Sequence, residues 1–123
     1  MAGRFQAVVA SDGRVVCERC AMAESFATRL RGLLGRRQLQ RGEGLLLSPS
    51  SSVHTFFMRF SIDVVFLDRS LRVVGVSPNV RPWRLAACRG TRRVLELPAG
   101  ESDERAIRVG EQLTLVGTSS GPA

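Results

Sequence analysis

Residues 53–68 read VHTFFMRFSIDVVFLD, two short apolar runs that enclose the chain's one histidine, His54, with Arg59, Asp63 and Asp68. Runs this short, rich in Val, Ile and Phe and bounded by polar residues, fit strands; a helix needs about ten residues or more. The spacing predicts strands at 53–58 and 62–67. Side chains alternate along a strand, so His54, Phe56 and Met58 should share one face, and Thr55, Phe57 and Arg59 the other. In the second run Asp63 falls on the face of Val65 and Leu67, opposite Ile62, Val64 and Phe66.

The same signal recurs on both sides. Residues 4–10 and 15–20, separated by Ser11-Asp12-Gly13-Arg14, predict a hairpin turning at Asp12-Gly13. Further runs at 44–47, 71–76, 93–97 and 112–116 alternate with breaks at Ser48-Pro49, Asp68-Arg69-Ser70, Ser77-Pro78-Asn79, Pro98-Ala99-Gly100 and Val109-Gly110-Glu111. Residues 83–91 read as an irregular connection. One segment carries helical periodicity: Ala23, Phe26, Ala27, Leu30, Leu33 and Leu34 form an apolar stripe, and Gly35 follows it. The expected architecture is mainly β with a minor α part. It is a single β-sandwich or barrel-like domain over 1–116, covered by one helix at about 24–34 and followed by a disordered tail, 117–123.

With 123 residues, 44% hydrophobic and 24% charged, the composition suits one globular core and excludes fibrous and disordered classes. No apolar run approaches the roughly 20 residues of a membrane helix. Arg4 and Gln6 interrupt the apolar segment that a secretory signal needs. Cys17, Cys20 and Cys88 cannot all pair within one chain, which fits a reducing compartment, so the expected location is cytoplasmic. The net charge of +7 comes from 18 basic residues, every one an arginine. They are scattered: only Arg36-Arg37 and Arg92-Arg93 are adjacent, and the single tryptophan, Trp83, stands apart from any stacking motif.

Ionisable groups inside apolar strands are the candidates for chemistry. A carboxylate at Asp63 is costly to bury unless paired, and Arg59 or Arg29 is the natural partner. Glu96, in VLELP, either follows the same rule or faces solvent while Leu95 and Leu97 point inwards. His54, Arg59, Asp63, Glu96 and Arg29 are therefore the expected ligand-binding set, with His54, Asp63 and Glu96 the candidates for acid–base work. Cys17-Glu18-Arg19-Cys20 has the gap of zinc and redox sites, but on a regular strand its two thiols point to opposite faces, so no metal is assigned. No nucleophile elbow, phosphate loop, dinucleotide fingerprint or zincin helix occurs, and no cofactor is implied.

Several ordered blocks carry a resemblance. They are Arg31-Gly32-Leu33-Leu34-Gly35-Arg36, Gly42-Glu43-Gly44-Leu45-Leu46, His54-Thr55-Phe56-Phe57-Met58-Arg59, Ile62-Asp63-Val64-Val65-Phe66-Leu67-Asp68 and Val94-Leu95-Glu96-Leu97-Pro98-Ala99-Gly100, with Ile107 and Val109-Gly110-Glu111. In these the chain resembles the bacterial and archaeal domain of unknown function 192 family. The resemblance implies a β-sandwich or barrel-like domain with one helix and brings no accepted activity. Many members carry tryptophan before the methionine, where this chain has Phe57.

The functional expectation is a small non-catalytic binding or accessory module. Its polar cleft would attract an anionic small molecule or an acidic protein surface. The alternatives are a hydrolase-like or isomerase-like enzyme using His54 with Asp63 or Glu96, and nucleic-acid binding through arginine.

Overall fold

Gly13, with φ of 90°, turns the chain between β1 (Phe5–Ala10) and β2 (Val15–Ala23), while Asp12 Oδ1 accepts the Arg14 N–H at 3.0 Å. This is the hairpin expected at Asp12-Gly13, and its strands pair antiparallel. The computed structural model describes residues 5–23 and 38–117. Its remaining elements are β3 (Glu43–Leu47), β4 (Ser52–His54), β5 (Ile62–Leu67), β6 (Val73–Val80), β7 (Leu85–Ala87), β8 (Arg93–Pro98), α1 (Glu101–Glu104) and β9 (Leu113–Gly117). Seven strands form one mixed sheet in the order β6-β5-β8-β3-β2-β1-β9, and β4 and β7 form a separate pair. Among the described residues, only β2 and β3 run parallel in it.

The large sheet curls on itself. Its edges meet at one corner, where Val73 and Leu71 exchange backbone bonds with Gly110, Glu111 and Leu113 and Arg72 bridges to Gln112. The edges are not paired along their length, so this is an open curled sheet and not a closed barrel. One apolar cluster draws side chains from all seven strands, including Val8, Cys17, Leu46, Val65, Val73, Leu95 and Leu113, and so fills the inside of the curl. A second cluster lies on the outer face, where Leu45, Leu47, Ile62, Val64, Phe66 and Val94 pack under Val53 of β4, Met58 and Ala86 of β7. Central strands β5 and β8 thus have core on both faces. All six residues of β5 are buried, and each wholly enclosed Val or Leu contributes about 1.5–3 kcal/mol.

Five local readings change. The strand expected at 53–58 ends at His54, because Phe57 adopts φ of 71° and the chain turns; the face assignment for 55–59 fails with it. β6 runs through Ser77-Pro78-Asn79 to Val80, tolerated because it is an edge strand and needs no inward N–H from Pro78. The irregular connection 83–91 contains β7, and the four-residue α1 follows the Pro98-Ala99-Gly100 break. Gly117, expected to begin the tail, closes β9. The helix expected at 24–34, Arg29 and the tail beyond Gly117 lie outside the described residues.

Candidate binding site

Asp63 is fully buried, as its alternation among apolar neighbours implies, and among the described residues its carboxylate is met by backbone N–H groups, not by Arg59. Oδ1 accepts the Asn79 N–H and Oδ2 the Ser102 N–H, each at 2.8 Å. The first bond holds the far end of β6, and the second holds the first turn of α1. Asp63 is a joint between three elements, its charge spread over backbone donors.

Glu96 is also fully buried, between Leu45 of β3 and Val64 of β5, which decides for the first of its two expected placements and against the solvent-facing one. Cross-strand partners share a face, so Glu96 lies with Val64 on the outer side of the sheet. Asp63 pairs with Leu97 and lies with it on the inner side. The expected convergence of both carboxylates on one cleft does not occur: the sheet separates them. His54 belongs to β4 on the outer side, half-buried, and its Nδ1 accepts the Phe56 N–H at 3.3 Å. A general base oriented by Asp63 gains no support from this layout.

The structure does bring together groups that lie far apart in sequence. Thr55, wholly buried, links the loop after β4 to the loop before β7. Its hydroxyl donates to the Arg81 carbonyl at 2.5 Å and accepts the Arg84 N–H at 2.9 Å. Its backbone N–H donates to the Arg84 carbonyl, and its carbonyl accepts from Trp83. This clamp sets Trp83 beside the two phenylalanines. The His54 and Phe56 rings stack at 4.6 Å and 30°, Phe56 and Trp83 at 5.6 Å and 25°, and Phe57 tilts against Trp83 at 4.8 Å. Trp83 therefore does not stand apart.

Phe57 and Trp83 are 59% and 56% exposed and both hold left-handed backbone, with φ of 71° and 65°. For bulky residues that conformation is strained by about 1–3 kcal/mol each, and such outliers concentrate at binding surfaces. Arg59, Arg81 and Arg84 are exposed on the same two loops. Beside them opens a groove of about 550 Å³, lined among others by Asn79, Arg81, Arg84 and Leu85 and, among the described residues, by no acidic one. Sequence reading found His54 and Arg59 but missed Trp83, Arg81 and Arg84; the Pro82-Trp83 break with flanking arginines was the one available signal.

The cysteines also depart from expectation. A register shift between Gln6↔Cys20 and Val8↔Cys17 puts one extra residue in β2, a bulge that turns both thiols towards the inner core. Cys17 and Cys20 are fully buried, and the hydrogen bond with Cys17, together with burial, pushes the Cys20 thiol well up. Among the described residues no cluster of three or more His, Cys, Asp or Glu could hold a metal ion.

A curled, open β-sheet with a clamped aromatic and arginine surface outside it thus describes the molecule, and its sequence defines its class. The chain belongs to the domain of unknown function 192 family, Uncharacterized ACR, whose model matches residues 7–115. Among its relatives, a UPF0127 protein of Thermococcus sibiricus is 33% identical over 108 residues, 84% of this chain and 70% of the relative. A UPF0127 protein of Pyrococcus horikoshii is 33% identical over 98 residues, 75% of this chain and 83% of that protein. A solved protein of unknown function from Novosphingobium aromaticivorans shares the fold with a TM-score of 0.74 at 23% identity, covering 89% of this chain and 83% of its own. Another solved protein, from Sinorhizobium meliloti 1021, has a TM-score of 0.78 at 21% identity, with 93% and 94% covered. The family is uncharacterised, and the function of this protein is unknown.

Proposed function

We propose that the protein is a small non-catalytic binding module whose working face is the surface built by residues 54–60 and 81–87. The observation that carries this reading is that exposed Arg59, Arg81 and Arg84 share two clamped loops with exposed Phe57 and Trp83, and that Arg81 and Arg84 line a groove with no carboxylate among its described lining residues. A fixed aromatic surface with unopposed guanidinium groups attracts an anion-bearing ligand. His54 and Arg59 of the expected set belong to this face; Asp63 supports it from behind by anchoring the end of β6 at Asn79. Among the described residues no helix is long and apolar enough to cross a membrane. The odd number of cysteines supports a cytoplasmic location, where thiols stay reduced.

Titration with inorganic tripolyphosphate at low salt tests the anion preference, with the emission of Trp83, the chain's one tryptophan, as readout. Saturable change that Arg81→Gln and Arg84→Gln weaken supports the reading. Identical curves for both variants and the parent protein defeat it.

A further inference from the structure

His54, Phe56 and Trp83 form a column of near-parallel rings, with 30° between the first pair and 25° between the second. The column ends on Trp83, which is more than half exposed; its backbone N–H is tied to the Thr55 carbonyl and its ring packs against Phe56 and Phe57. An ordered stack that ends on a half-exposed tryptophan offers a place for one more planar ring. Arg81 and Arg84 flank Trp83 in sequence and line a groove with Asn79 and Leu85, while Arg59 is exposed on the opposite loop. A ligand that offers planar rings and regularly spaced anions, joined in one flexible strand, complements both features.

We infer that the face carrying Trp83, Phe57, Arg81, Arg84 and Arg59 binds single-stranded nucleic acid, bases stacking on the two exposed rings and phosphates meeting the arginines. This rests on the reading of the same face as an anion-binding surface and names its occupant. Stacking on exposed aromatics tolerates any base, so affinity depends weakly on sequence. Duplex DNA keeps its bases stacked inside and binds more weakly. A net charge of +7 favours a polyanion over a single nucleotide. With about three phosphate contacts, the logarithm of affinity falls against that of salt with a slope of roughly −2.

The test is fluorescence anisotropy of a labelled twelve-residue oligothymidylate with the full chain at low salt. Expected are saturable binding, the stated salt slope, and a loss of roughly ten- to a hundredfold on Trp83→Ala or Phe57→Ala with cooperative melting retained. Arg84→Gln, which leaves the rings in place, reduces the slope by about one phosphate contact. Tripolyphosphate binding that competes as well as the oligonucleotide and ignores both ring variants overturns the nucleic-acid inference but leaves the anion-binding reading intact. Thymidine monophosphate binding as tight as the oligonucleotide overturns the strand as ligand. Capture by phosphatidylserine vesicles without oligonucleotide binding assigns the face to a membrane surface and overturns it too. Failure of every anion to bind sinks both readings together.

Discussion

Phe57 and Trp83, 26 residues apart in the chain, meet at a ring distance of 4.8 Å, each on left-handed backbone that its own side chain disfavours. The strain persists because Thr55 fixes both loops, so it should be measurable at either position. Replacing Trp83 with glycine removes the ring and relaxes the backbone, whereas alanine removes the ring alone. We expect Trp83→Gly to be about 0.5–1 kcal/mol more stable than Trp83→Ala in urea unfolding. Equal stability, or a more stable alanine variant, contradicts the strain.

Thr55 works through its hydroxyl, so Thr55→Val, nearly isosteric, isolates that function. The variant leaves the Arg84 N–H and Arg81 carbonyl without their partner in a part-buried setting and should lose about 1 kcal/mol. The Trp83 emission should also report a looser loop. Thr55→Ser, which keeps the hydroxyl, should recover most of the loss; if it behaves like valine, packing and not hydrogen bonding is responsible.

Asp63 receives two N–H groups and nothing in its place can do the same with one oxygen. Asp63→Asn turns an amide NH₂ against one of those donors, from either Asn79 or Ser102. The expected cost is about 1.5–3 kcal/mol by thermal or urea melting. Below its melting temperature the variant should bind anions like the parent, as befits a joint behind the working face; lost binding in a fully folded variant returns Asp63 to the site.

Acid should act through the pair that ties β2 to the residue after α1. Arg105 grips the Glu18 carboxylate with both terminal nitrogens, at 3.1 and 3.0 Å, and holds Glu18 below the usual carboxylate range. A depressed folded pKa contributes stability that is present above the unfolded value of about 4.3 and disappears as pH falls through the folded value. Urea midpoints should therefore drop on the acid side of that pH, and less steeply in Glu18→Gln. Parallel acid limbs for the two proteins contradict the assignment.

The thiols supply an alkaline counterpart. Cys88 is half-buried, while Cys17 and Cys20 are enclosed and Cys20 is pushed up by its neighbour and by burial. Iodoacetamide at neutral pH should label Cys88 in the native protein and reach the other two only on unfolding, as mass spectrometry of the digest reads directly. The raised thiol keeps its proton in the folded chain, so stability holds below the ordinary thiol pKa of about 8.5 and declines above it. Native labelling of all three at one rate speaks against the buried pair.

Much of the sheet was legible because its signals are local. The Asp12-Gly13 turn, the apolar runs of β5 and β8 and the alternation separating Asp63 from Val64 all lie within a few residues, and the structure keeps them. Other features hinged on departures from regularity. One extra residue in β2 reverses the face of a cysteine, and a left-handed Phe57 ends a strand that composition would extend to Met58. Neither leaves a composition signal, since bulges and left-handed aromatics are held by partners elsewhere.

By itself, the sequence determined that the chain is β-rich, where its strands change direction, and which ionisable groups sit among apolar ones, because side-chain periodicity follows from the backbone repeat. Only the tertiary structure decided that β5 and β8 lie inside the sheet with core on both sides, that Asp63 and Glu96 are parted by the sheet, and that Trp83 joins Phe56 and Phe57. Those outcomes depend on pairing between strands distant in sequence and on one buried hydroxyl bridging two loops. Such contacts are chosen by the global fit of the chain, and no window of neighbouring residues contains them.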